Sequence, residues 1–131
     1  MSAIEDCLHE ALALPGARSA ALVEWATGFV LASVGASAHG GAEETAIETA
    51  ELARIAIEQV ALEPEGLPGE GGGSGIEDVI VTTPASYHVL RFVDMAFDSG
   101  VFVHLRLDRA TGNLALARLR LRSVAERLVG V

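Results

Sequence analysis

The stretch LPGARSAALVEWATGFVLAS, residues 14–33, constrains the fold more than any other part of the chain. A helical segment before it is stopped at Pro15-Gly16, because proline lacks a backbone N–H and glycine tolerates the conformations that end helices. Two short apolar runs then flank Trp25-Ala26-Thr27-Gly28, the pattern of two strands joined by a tight loop. Leu22 and Val23 are adjacent, as are Val30 and Leu31, so each strand presents apolar groups on both of its faces. Such strands belong in a sheet covered on both sides. Beyond Glu24 and isolated hydroxyls, the stretch holds no group for acid, base or nucleophilic chemistry.

The rest of the chain repeats these changes of period. Ile4 to Leu14 is expected as a first helix, with Ser2 as N-cap, Glu5 completing a capping box, and Ile4, Leu8, Ala11 and Leu12 on one face. Residues 18–24 and 29–34 are the two strands, and Gly35 to Gly41 a loop. Glu43 to about Leu62 is expected as the longest helix, about 30 Å at 1.5 Å per residue. Glu43, Glu44 and Glu48 crowd its N-terminal half, where carboxylates favour the helix dipole. Residues 63–75, EPEGLPGEGGGSG, read as a flexible Gly/Pro-rich loop and not as a phosphate cradle, since no lysine follows. Ile76 to Thr83, Tyr87 to Ala96 and Val101 to Leu107 are three further strands, the last two a hairpin through FDSG. A final helix runs from about Asn113 to Val129, with Leu114, Ala117, Leu121, Val124 and Leu128 on one stripe. The order α-β-β-α-β-β-β-α over residues 1–131 predicts a single α+β domain: a five-stranded antiparallel sheet with helices on both faces.

Charge narrows the function classes. Net charge is −9, but residues 1–105 hold sixteen acids against Arg18, Arg54 and Arg91, while residues 106–131 hold six arginines against Asp108 and Glu126. An acidic body disfavours nucleic-acid binding, which needs basic contacts to phosphate. The C-terminal arginines do not form one stripe, so they are expected to flank the buried seam and pair with the acidic body. The chain has no lysine, which excludes a Walker A loop and a Schiff-base lysine. No apolar run approaches the roughly 18 residues of a membrane span. The opening MSAIEDCLHE has no basic segment, so no secretory signal is expected. The single Cys7 cannot form an internal disulfide, which fits a reducing cytoplasm, and it is expected to pack within the first helix.

The residues offer little chemistry. A zinc site needs three or four converging ligands, and His9, His39, His88 and His104 show no such spacing. A turn centred near Asp98-Ser99 would place His104 opposite Val93 and His88 opposite Arg109, so the two histidines are not expected to meet. Gly35-Ala36-Ser37-Ala38-His39 echoes a nucleophile elbow without its strand-turn-helix setting. Glu43 and Glu44 suit a helix start better than acid–base work. No catalytic residue, resident metal or cofactor is expected; the minor enzymatic alternative is His88 or His104 acting with Asp94.

The long helix carries the more useful signal. Ala46, Ala50, Ala53, Ile57 and Val60 form one stripe suited to a sheet or a twin helix. Leu52, Ile55, Ala56 and Leu62 extend the apolar surface around a second flank, with Arg54 between Glu51 and Glu58. A helix covering one sheet needs no second apolar flank, so that flank is a candidate contact surface. The strand Ile76 to Thr83, with Ile76, Val79, Ile80 and Val81 apolar and no interior proline, would invite strand addition if it formed a bare edge.

In element order and local pattern the chain resembles the roadblock family of dynein light chains and bacterial small-GTPase regulators. ALPGARSAALVEWATGFVLAS looks like that family's opening, and GVFVHLRLDRATGNLALARLRLRSVAERL is similar to its closing strand, Asp-containing loop and Arg-spaced helix. The resemblance implies a non-enzymatic homodimer whose edge strands join two sheets into one, here through residues 76–83. It also implies that the paired long helices, Glu43 to Leu62, face a Ras-like small GTPase. The alternative is a PAS-like or profilin-like sensor of small molecules, which needs a sizeable interior cavity.

Overall fold

In the computed structural model, which describes residues 2–36, 41–58, 75–95 and 100–131, Ser2 caps the first helix. Its hydroxyl accepts a hydrogen bond from the Glu5 N–H at 3.1 Å. The elements in chain order are α1 (Ala3–Leu12), β1 (Ala17–Glu24), β2 (Val30–Gly35), α2 (Ala42–Glu58), β3 (Asp78–Thr82), β4 (Ser86–Val93), β5 (Val101–Asp108) and α3 (Leu114–Val129). This is the expected order. α1 stops two residues short of Leu14, β3 loses two residues at its start and one at its end, and β4 begins one residue early and ends at Val93; Ala96 of the expected strand lies outside the described residues. Positions 59–62 of the expected second helix, the 63–75 loop up to Ser74, the centre of the FDSG turn and His39 lie outside the described residues.

The five strands form one antiparallel sheet in the order β2-β1-β5-β4-β3. A register shift after Leu22 leaves Leu31 unpaired, so that both Val23 and Val30 face the same side of the sheet. On one face lie α1 and α3. Leu8, Leu22, Leu105, Leu107, Leu121 and Leu128 are fully buried there. On the other face α2 seats Ala46, Ala50 and Ala53 against Val23, Leu90 and Phe102. The small alanines let the helix axis approach the strands closely. Phe92 meets Phe102 edge-to-face at 6.3 Å.

The hairpin at residues 14–33 proves to be scaffold. Gly16 has φ +83°, and a Cβ there would lie 2.8 Å from the backbone N of Gly112, so only glycine lets the turn after α1 meet the loop after β5. The Trp25 carbonyl accepts from Arg54 Nη1 at 2.8 Å, which pins α2 to the β1–β2 turn. At the other end of the chain, Asn113 caps α3 by accepting from Leu116 N–H at 3.0 Å. Two of the four α3 arginines pair with the acidic body as expected. Arg118 binds Asp78 of β3 at 2.9 Å. Arg127 binds the Glu10 carboxylate of α1, and Arg120 donates to the Glu10 carbonyl. Arg122 instead pairs within its own helix, with Glu126 at 3.7 Å. Cys7 is buried in the α1–α3 core.

Candidate interaction surface

The apolar stripe of α2 is consumed inside the protomer. Ala46, Ala50 and Ala53 are 2%, 0% and 0% exposed against the chain's own sheet. Ile57 is half-buried beside them, and Val60 lies outside the described residues. The second flank is different. Leu52 is 41% exposed and Ile55 57% exposed, although both sit on a helix whose core-facing side is already satisfied. Ile47, also 57% exposed, belongs with them, although the stripe pattern of the sequence did not single it out. Its position, one residue past Ala46, was the available signal, since neighbouring helix positions point about 100° apart. Exposed Glu48, Glu51 and Glu58 border this flank. Arg54 pairs with Glu51 at 2.9 Å while its other nitrogen holds the Trp25 carbonyl, so it is clamped and not free to neutralise the remaining acids.

β3 stands at the end of the sheet and, among the described residues, pairs only with β4. Val79, Ile80 and Val81 are each half-buried: Val79 packs toward the α2 side and Ile80 toward the α1–α3 side. Ile76, also half-buried, precedes the strand instead of lying in it. The outer row of β3 backbone groups is therefore the edge that the sequence pattern anticipated.

His88 and His104 do meet, contrary to expectation. β4 and β5 pair His88 with Arg106 and Leu90 with His104. That register is three residues from the one a turn at Asp98-Ser99 would give. An odd slip turns a side chain to the opposite face, so the two histidines become diagonal neighbours on the α2 side. His88 Nδ1 and His104 Nε2 lie 3.0 Å apart, with the rings stacked at 5.2 Å. One neutral imidazole N–H donates to the other's lone pair. Burial, then the nearby His88 and Arg106, push the His104 pKa down to about 3. Burial and then Arg106 lower that of His88 as well. A neutral, mutually bonded pair beside a guanidinium is poorly suited to be a base near pH 7 or a cation ligand. Asp94, the acid of the enzymatic alternative, is exposed just past the end of β4.

Among the described residues, two concavities border these elements. One, of about 30 Å³, lies between α2 and the sheet and is lined in part by Ser19, Ser33, Thr45, His104 and Arg106. The other is an open groove of about 380 Å³ between β3 and α3, lined by charged groups including Asp78, Arg91 and Arg118. The first is an order of magnitude below the roughly 300–1,000 Å³ of drug-sized ligand pockets. The second is a charged surface feature and not an interior cavity.

No protein-family model matches the chain, and no curated protein matches it by sequence. Solved structures do. The gliding protein MglB of Thermus thermophilus superimposes with a TM-score of 0.71 at 20% identity, covering 96% of this chain and 85% of that one. An MglB structure with a tetrameric arrangement gives 0.73 at 20% identity, with the same 96% and 85% coverage. The Roadblock/LC7 domain from Streptomyces avermitilis gives 0.67 at 16% identity, covering 90% of this chain and 87% of that one. With its five-stranded antiparallel sheet, two helices on one face and a third on the other, the chain has the Roadblock/LC7 fold.

Proposed function

We propose that this chain is a non-enzymatic regulator or adaptor that works as a homodimer and binds a Ras-like small GTPase through its α2 helices. One observation carries the reading. α2 exposes Ile47, Leu52 and Ile55 to solvent after its alanine stripe has covered the sheet, and a second protein is the ordinary cover for such a surface. The unpaired edge of β3 supplies the complementary junction: two β3 strands, running antiparallel, would extend one sheet into the next. The interface assigned on this reading comprises Leu52, Ile55 and Ile57 on α2, with Ile47 added, Val79, Ile80 and Val81 at the strand edge with Ile76 just before it, and Val60, which lies outside the described residues. Ala46, Ala50 and Ala53 set how close α2 lies to the sheet and so how far its outer flank projects. The GTPase partner rests on the resemblance to the bacterial roadblock regulators. The small-molecule alternative fares worse, because the cavity beneath α2 is too small for a sensor's ligand.

Ile55→Asp tests the reading. The side chain is exposed in the protomer, so the fold should survive with a stability change within about 0.5 kcal/mol. A carboxylate forced into an apolar interface costs several kcal/mol, so dimer formation in light scattering, and capture of a GTPase from native cytosol, should be lost. A wild-type protein that is strictly monomeric at high micromolar concentration, or an Ile55→Asp protein that dimerises and binds unchanged, would overturn it.

A further inference from the structure

Nine arginines face eighteen acids in this chain, so a cation without a partner is unexpected. Six of the arginines form ion pairs with Asp or Glu. Arg109 and Arg120 donate to backbone carbonyls. Arg106 has no such acceptor among the described residues, and its Nη1 is buried without a hydrogen-bond partner. A guanidinium nitrogen taken out of water and left unmatched is costly, and native proteins rarely leave one so.

Arg106 also lines a small cavity on the α2 side of the sheet. Its pairing positions on the neighbouring strands are Ser19 on β1 and His88 on β4, and all three face the α2 side of the sheet. Arg106 borders the cavity of about 30 Å³ under the first turns of α2. That volume is about twice what a single water needs. Ser19, Ser33 and Thr45 bring hydroxyls to the same wall, and the remaining lining residues apart from His104 are alanine, valine and glycine. The Thr45 hydroxyl already donates to the Gly41 carbonyl. Among the described residues no carboxylate lines the cavity. His104 is held neutral by burial and its nitrogen Nε2 is taken by His88, so Arg106 supplies the charge of this site.

We propose that the cavity is a binding site for a small oxyanion of the phosphate or sulfate class, held by the Arg106 guanidinium with the Ser19 and Ser33 hydroxyls as further donors. A planar guanidinium offers two parallel N–H donors to such an ion, and serine hydroxyls rotate to meet the remaining oxygens. The site lies beneath the inner side of α2, away from Ile55, so it goes beyond the dimer and GTPase reading and does not depend on it. An ion seated there would bridge β1, β2 and β5 to the start of α2 and so steady the helix that carries the proposed contact surface.

The test is thermal unfolding of the full chain during titration with inorganic phosphate, ionic strength being held constant with sodium chloride. Wild type should show a saturable rise in melting temperature, Arg106→Gln should show none, and Ser33→Ala should need a several-fold higher phosphate concentration for half-saturation. Light scattering of Arg106→Gln, run alongside, should still report the wild-type oligomeric state, which separates this site from the proposed interface. A phosphate response no larger than that to chloride, or one retained in Arg106→Gln, would overturn the proposal. So would binding blocked by a carboxylate of a second copy, which would appear as a missing phosphate response. If Arg106→Gln does not fold, amide chemical shifts of the wild type decide. Saturable changes centred on Ser19, Ser33 and Arg106 support the site, and changes elsewhere or none refute it.

Discussion

Mild acid should destabilise this protein through His104. His104 is 4% exposed, and its pKa in the folded chain is about 3, against an ordinary value of 6.5. Below pH 6.5 the unfolded imidazole takes up a proton that the folded one refuses, so acid favours the unfolded state. The stabilisation is complete above about pH 7.5 and is lost progressively as pH falls from 6.5 toward 3. Each pH unit inside that window costs about 1.4 kcal/mol per group. Between pH 7.5 and 5 the loss from His104 is therefore about 2 kcal/mol, a sizeable share of the 5–15 kcal/mol typical of a domain. His88, also lowered by burial, adds to the loss with the same sign. Urea unfolding at half-unit pH steps measures the slope, and His104→Leu supplies the control. Leucine is apolar, like Leu90 and Phe102 on the same face. The variant should lose about 2 kcal/mol of the wild-type change across the window, whatever its absolute stability. Parallel stability–pH lines for wild type and His104→Leu, or a His104 ring signal titrating near 6.5, would refute the reasoning.

Two further outcomes follow from the packing. Leu121 is fully buried between α3 and the sheet, so Leu121→Ala should cost roughly 3 kcal/mol in denaturant unfolding with no change in slope. Asn113→Ala removes the acceptor of the Leu116 N–H and should cost about 1 kcal/mol, whereas Asn113→Ser should recover most of it.

Much of the fold was legible in the residues because it rests on local periodicity. The Ser2 cap and the stripe Ala117, Leu121, Val124, Leu128 are each set by neighbours within a turn or two, and the structure places them where the sequence puts them. The opposed faces of Leu22 and Val23 were equally plain: one enters the α1–α3 core, the other lies under α2. The candidate surface was half legible. Alternation could mark α2 as apolar on two flanks, but it could not say which flank the sheet would take. Burial of Ala46, Ala50 and Ala53 decides that, and it leaves Ile47, Leu52 and Ile55 outside.

The chain's own pattern thus determines which segments are helices and strands, and that the sheet has a layer on either side, because these follow from the 3.6- and 2-residue repeats of side-chain direction. Tertiary structure alone decides how the strands are aligned. β1 finds β5 between 77 and 90 positions away, and β4 meets β5 three residues off the register its turn suggests. Since side chains alternate at every residue, that odd offset is enough to bring His88 against His104 and set both beside Arg106, a cluster no local pattern encodes.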